Sequence, residues 1–212
     1  MRVAVFGATG RIGRLVVEDL LAAGREVTLL VRSPDKLTAR DPRLAVRVGQ
    51  LSDSGAVAAV VHGSDAVVSA LGPSLKHGAK GTPVTEGTQA IVAAMRAAGV
   101  RRFIGLATPS VPDPRDRPTC NAKLLPLIAG VSFPNALTEL RGMTAVVTGS
   151  GLGWTLARIM NPTDGPAKGT LRAGLLGGDR VGWAMTRADI AGFLVGQLGD
   201  ATYSMAAPAI SN

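Results

Sequence analysis

The stretch Val3-Ala-Val-Phe-Gly7-Ala-Thr-Gly10-Arg-Ile-Gly13 decides the fold. An apolar run enters a glycine-rich turn. An apolar-periodic stretch (Ile12, Leu15, Val16, Leu20) leaves it and ends at Gly24. That pattern is strand, tight turn, amphipathic helix. A second apolar run, Glu26-Val-Thr-Leu-Leu-Val31, follows at the distance of a βαβ unit. The glycine spacing is G-x-x-G-x-x-G, a variant of the commonest dinucleotide fingerprint, G-x-G-x-x-G. Gly7 lets the chain turn off the strand. Gly10 clears the backbone for a pyrophosphate, and Gly13 lets the helix lie close on the sheet. The first N–H groups of the helix lack intrahelical acceptors, so they are donors for an anion.

The end of the second strand selects the dinucleotide. A carboxylate there would hold a ribose 2′-OH, but this chain has Arg32, followed by Ser33-Pro34-Asp35-Lys36. A guanidinium binds a 2′-phosphate with two hydrogen bonds, so the cofactor expected is NADP(H). Lys36 is a second candidate cation, and Arg11 is placed to face the adenosine phosphate. Ser33 and Pro34 also read as the N-cap and first residue of a short helix.

Outward from this unit, strand-like and helix-like segments alternate. Strands are expected at 44–48, 65–70, 102–107, 154–159 and 202–206. Helices are expected at about 52–61, from Thr82 as N-cap to Gly99, at about 136–148, and from Thr186 to Leu198. The alternation predicts an α/β fold: a single doubly wound Rossmann-like domain over 1–212 with a mostly parallel sheet. Residues 108–150, proline-rich at the start, and the glycine-rich 161–182 form the substrate side.

Composition narrows the class. The chain has 212 residues, 46% of them hydrophobic, enough for a sizeable core. No long uncharged apolar run predicts a membrane span. Met1-Arg2 leads straight into a strand, and Cys120 is the one cysteine, so a cytoplasmic location is expected. The net charge of +8 would suit nucleic acid, but the basic residues are dispersed and aromatics are 3%. A small-molecule substrate and a monomer or homodimer are expected instead. No metal-ligand spacing occurs.

In a doubly wound sheet, ligands lie beyond the carboxyl ends of the strands at the switch point. The nicotinamide is therefore expected near Ala107–Ser110. Thr108 and Ser110 are hydroxyls there, able to bond a substrate oxygen, the carboxamide or a water, and equally able to make the turn before Pro112. Asn161 follows the sixth strand. His77 lies in the loop after the fourth. The one tyrosine, Tyr203, has Ala at 207, so the Tyr-x-x-x-Lys proton-donating dyad is absent.

Three stretches resemble a known family: Val-Phe-Gly-Ala-Thr-Gly-Arg-Ile-Gly, Thr-Leu-Leu-Val-Arg-Ser-Pro-Asp-Lys, and Gly-Thr-Gln-Ala-Ile-Val-Ala-Ala-Met-Arg-Ala-Ala-Gly-Val-Arg-Arg-Phe-Ile. They are similar to the atypical short-chain dehydrogenase/reductases, in the NmrA-like NAD(P)H-binding branch that includes biliverdin-IXβ and flavin reductases. The resemblance implies that Gly7, Thr9, Gly10, Arg11, Ile12 and Gly13 embrace the pyrophosphate and Arg32 the 2′-phosphate. It implies Gln50 and Leu51 beside the adenine and Ala70, Leu71 and Gly72 at the ribose. Thr108 stands where family reductases keep a serine near the nicotinamide. Asn161 stands about where the biliverdin/flavin reductase has a histidine. Two functions fit: an NADPH-dependent reductase of a small conjugated acceptor, and a non-catalytic NADP(H) sensor acting through a protein partner.

Overall fold

The computed structural model describes residues 1–75, 79–117, 130 and 132–212. Strand β1 (Arg2–Phe6) leads through the glycine turn into helix α1 (Arg11–Ala22) and then β2 (Glu26–Val31). There follow β3 (Leu44–Val48), α2 (Ser54–Val61), β4 (Ala66–Ser69), α3 (Pro83–Ala98), β5 (Arg102–Ala107), α4 (Pro134–Thr148) and β6 (Gly153–Arg158). Beyond them lie β7 (Asn161–Thr163), β8 (Arg172–Gly174), β9 (Ala184–Thr186), α5 (Arg187–Gly196) and β10 (Ala209–Ser211).

The main sheet has eight strands in the order β3-β2-β1-β4-β5-β6-β10-β8. All neighbours are parallel except β10 and β8. Val5 sits opposite Leu29 on one side and Val68 on the other, so β1 is central. Chain order reverses between β1 and β4, which makes their carboxyl ends the switch point. Successive strand residues serve opposite layers. Val3, Val5, Leu29, Val68 and Ile104 pack with α1 and α5. Ala4, Phe6, Leu30, Val67 and Phe103 pack with α2, α3 and α4. Two covered faces explain why these strands are continuous apolar runs.

The α/β class and the mostly parallel sheet are as expected. The last strand is not. Residues 202–205 form turns, Ala206 makes only a bridge to Thr155, and the strand is Ala209–Ser211. The Thr155 hydroxyl donates to the Tyr203 carbonyl (2.8 Å), which turns that segment back on β6 before pairing resumes. Helix α2 starts at Ser54, with Asp53 as N-cap accepting from the Ala56 N–H (3.0 Å).

Candidate functional site

The glycine turn is built by backbone contacts. Gly7 has φ +81°, and a Cβ there would lie 2.8 Å from the Ala70 carbonyl. The backbone just after β4 therefore leaves no room for a side chain. A Cβ on Gly13 would lie 2.1 Å from the Gly7 carbonyl oxygen, so α1 rests directly on the turn. Gly10 is different: its Cβ would meet only that oxygen, at 3.2 Å. Gly10 is also the N-cap of α1, without a side-chain cap and with no acidic residue in the first turn. The open N–H groups of α1 are thus available to an anion.

A cleft of about 650 Å³ opens at the carboxyl ends of β1, β2 and β4. Its lining includes Gly7, Thr9, Arg32, Gln50, Leu51, Leu71 and Gly72, all named from the sequence. Arg32 is exposed and makes no ion pair or hydrogen bond among the described residues. Leu51 packs on α3 where Gly87 allows it; a Cβ on Gly87 would be 2.9 Å from the Leu51 side chain.

The other expected residues lie elsewhere. Ala70 is half-buried against the core, beside Gly7, and Ile12 packs into the core with its side chain. Lys36 ends an exposed 3-10 turn (Pro34–Lys36) outside the cleft lining. The Arg11 guanidinium pairs with Asp164, which also takes the Arg187 Nη1 (2.7 Å). Those three residues line a second pocket of about 360 Å³ with Arg14 and Glu18. Thr108, Ser110 and Asn161 do not line the main cleft. The Thr108 carbonyl accepts from the Val111 N–H (3.0 Å), the turn expected there. The Thr108 Oγ1 is buried with no partner among the described residues. Asn161 is exposed and begins β7, paired with Ala184 of β9. His77 and Cys120 lie outside the described residues.

Several buried polar residues were invisible in the sequence because their partners are distant. Glu139 of α4 is 2% exposed. Its carboxylate accepts from the N–H groups of Val84 (3.1 Å) and Thr85 (2.8 Å) and from the Thr85 hydroxyl (3.0 Å). It caps α3 from another helix. Thr82 holds the N-cap position, but its hydroxyl donates to Glu86 instead (3.0 Å). Glu139 also lines the cleft beside Asn135.

A second group closes the end of β6. Arg158 is fully buried and makes two bonds to Asp116: Nη1 to Oδ2 (2.5 Å) and Nη2 to Oδ1 (2.7 Å). Asp116 also accepts from the N–H groups of Asp113 (2.9 Å) and Leu176 (2.9 Å). Breaking a buried pair of this kind costs about 3–5 kcal/mol, because the remaining charge is left uncompensated. Burial pushes both carboxyls up, but their hydrogen bonds outweigh it. The Arg158 guanidinium, with the Asp113 and Leu176 N–H groups, lowers Asp116. The Arg115 side chain and N–H, with the Ala207 N–H, hold Asp113 at about 2.

A family model described as NAD(P)H-binding matches residues 7–201.

The chain belongs to the NAD(P)H-binding family.

Its relatives include the (4-alkanoyl-5-oxo-2,5-dihydrofuran-3-yl)methyl phosphate reductase of Streptomyces griseus, 33% identical over 53% of this chain and 36% of that protein. Another is a 3-beta-hydroxysteroid dehydrogenase of Mycolicibacterium neoaurum, 36% identical over 52% of this chain and 32% of that protein. The match thus spans about a third of the length of each curated relative (36% and 32%). Among solved structures, a short-chain dehydrogenase/reductase from Veillonella parvula in complex with NADP has a TM-score of 0.78 at 18% identity, covering 100% of this chain and 94% of that one. ChuY, an anaerobillin reductase from Escherichia coli, has 0.78 at 20%, covering 100% and 97%. At these identities the structures show a shared fold.

The expected NAD(P)H-binding family and cofactor are therefore borne out. The open N-terminus of α1 offers anion donors, and Arg32, unpaired among the described residues, is a cation at the cleft. A cleft of about 650 Å³ is within the range of cofactor sites. Among the described residues no group of three His, Cys, Asp or Glu could hold a metal, and no helix is long and apolar enough to cross a membrane.

Proposed function

We propose that this chain is an NADPH-dependent reductase that passes hydride to a small conjugated acceptor such as a flavin, a quinone or a polyketide-like ring. The observation that carries this reading is the fate of the one tyrosine. The Tyr203 hydroxyl donates to the Ala173 carbonyl (3.0 Å), and burial raises its pKa, with Asp179 and Asp200 adding to the shift. It is fixed as a structural bond at β8, so no phenol serves a developing alkoxide. An electron-poor conjugated ring needs no such donor, because solvent can supply its proton. The dihydrofuranone reductase among the relatives is named for a ring in which a carbonyl is conjugated with a ring double bond, which supports this acceptor class.

NADPH, when bound, supplies the hydride. This chain's residues bind and orient. The α1 N–H groups over Gly10–Gly13, with Thr9, hold the pyrophosphate, and Arg32 holds the 2′-phosphate, with Lys36 adding positive charge. Gln50 and Leu51 flank the adenine, and Ala70 to Gly72 contact the ribose. The Thr108 hydroxyl, without a partner among the described residues, takes the carboxamide or an acceptor oxygen, with Ser110 and Asn161 on the acceptor side. On this reading residues 1–212 act as one cytoplasmic domain, monomeric or dimeric. The test is to mix the protein with NADPH and a panel of flavins, quinones and aromatic enones. Loss of NADPH absorbance above the uncatalysed rate is expected with at least one. A flat trace across the panel, with tight NADPH binding and a captured protein partner, would instead assign the chain as a sensor.

A further inference from the structure

Neither Arg158 nor Asp116, the polar pair at the end of β6, lines the main cleft. Asp116 receives four hydrogen bonds: two from Arg158, one from Asp113 in its own loop, and one from Leu176 after β8. The Leu176 carbonyl in turn accepts from the Arg117 N–H (2.9 Å), so the 113–117 loop and the chain after β8 are joined on both sides of the carboxylate. Asp113 fastens the same loop to the Ala207 N–H (3.0 Å). Asp116 and Asp113 of one loop therefore tie together Arg158, the chain after β8 and the chain before β10 at the carboxyl end of β6, the edge of an open α/β sheet where ligands bind. A buried ion pair is a poor stabiliser compared with apolar side chains of similar volume, but its directional bonds fix geometry. One polar atom of the pair remains unspent among the described residues, the buried Nε of Arg158. Arg158 itself is in register with Ala107, the last residue of β5.

We infer that the Arg158–Asp116 pair is the positioning element of the acceptor side: it sets the wall formed by 111–117 and 175–179 and thereby the acceptor's fit. This rests on the reductase reading. The Arg158→Met/Asp116→Leu double variant replaces the pair with apolar volume, and Asp116→Asn removes the charge alone. Three quantities are compared with the wild type: NADPH affinity, KM and kcat for the best acceptor, and amide exchange of the two segments. The expected result is unchanged NADPH affinity, with acceptor KM raised about tenfold against a smaller change in kcat, in at least one folded variant. Exchange at 113–117 and 175–179 should quicken about tenfold. An active wild type with acceptor KM unchanged in both variants overturns the inference and leaves the reductase reading intact. A wild type inactive on every acceptor overturns the reductase reading. Exchange then decides the positioning role, and unchanged exchange in both segments refutes it.

Discussion

Two glycines three residues apart should respond in opposite ways to the same added methyl group. In Gly13→Ala the new Cβ would sit 2.1 Å from the Gly7 carbonyl oxygen, 2.8 Å from its carbon and 3.0 Å from Ala8 Cα. All three atoms are backbone, and Gly7 is itself wedged against Ala70, so the turn cannot yield cheaply. Overpacking of this kind costs about 1–3 kcal/mol, and rigid backbone on both sides places this case at the upper end. Alanine returns about 1 kcal/mol of helix propensity. The net loss is about 2 kcal/mol, or about 4–8 °C in Tm for a chain of this size. Gly10→Ala meets one atom, at 3.2 Å, and loses the mild N-cap preference for glycine. Its stability cost is below about 1 kcal/mol, yet on the proposed reading its methyl stands in the path of the pyrophosphate. Thermal melts and NADPH titrations of both variants separate the two roles. Gly10→Ala should melt near the wild type and bind NADPH at least about tenfold more weakly, the loss of one charge-assisted contact. A Gly13→Ala melt matching the wild type, or a Gly10→Ala protein with full NADPH affinity, refutes this account of the turn.

Arg32→Ala should weaken NADPH about tenfold and leave NADH nearly unchanged, because an exposed charge-assisted contact lies at the low end of its usual range; equal losses in a paired titration would remove Arg32 from the 2′-phosphate. Tyr203→Phe should lose about 1 kcal/mol of stability with its bond to Ala173, and kcat should be retained; a collapsed kcat would restore the phenol as proton donor. Asp113 is held at about 2 against an ordinary 3.8, so its contribution is complete above that ordinary value and is lost as pH falls through 2. Asp113→Asn should therefore narrow the stability gap from wild type between neutral pH and pH about 2, as followed by denaturant melts.

The front half of the fold was legible because its determinants are local. Gly7, Gly10 and Gly13 sit within one turn, and Gly24 and Gly99 punctuate α1 and α3 after regular apolar periods. Residues Gly7, Thr9, Arg32, Gln50, Leu51, Leu71 and Gly72 converge on one cleft because they sit at the ends of neighbouring strands. The back half was less legible. Thr202–Ala206 has the look of a strand, but the Thr155 bond to the Tyr203 carbonyl is a tertiary contact that no local pattern announces. Arg158 falls inside the expected strand 154–159 with nothing local to mark it; its partner Asp116 is 42 residues away. Arg11 looked free for a phosphate, and its partner Asp164 is 153 residues distant. Thr82 carries the sequence signature of a capping residue, yet the bonds to α3's first turn come from Glu139.

That last substitution bears on the order in which the molecule assembles. A helix capped by its own flanking residue can close its first turn while the rest of the chain is still open. Helix α3 has given that task to a carboxylate 54 residues further on, past β5. Its first turn therefore matures only when α4 docks, and a contact at that separation carries the entropy of closing a long loop. In pulse-labelling hydrogen exchange during refolding, the Val84 and Thr85 amides should gain protection together with α4 and later than the middle of α3. The wall of the cleft nearest Glu139 then forms with the docking of α4, so the step that completes this layer of the core also shapes the cleft.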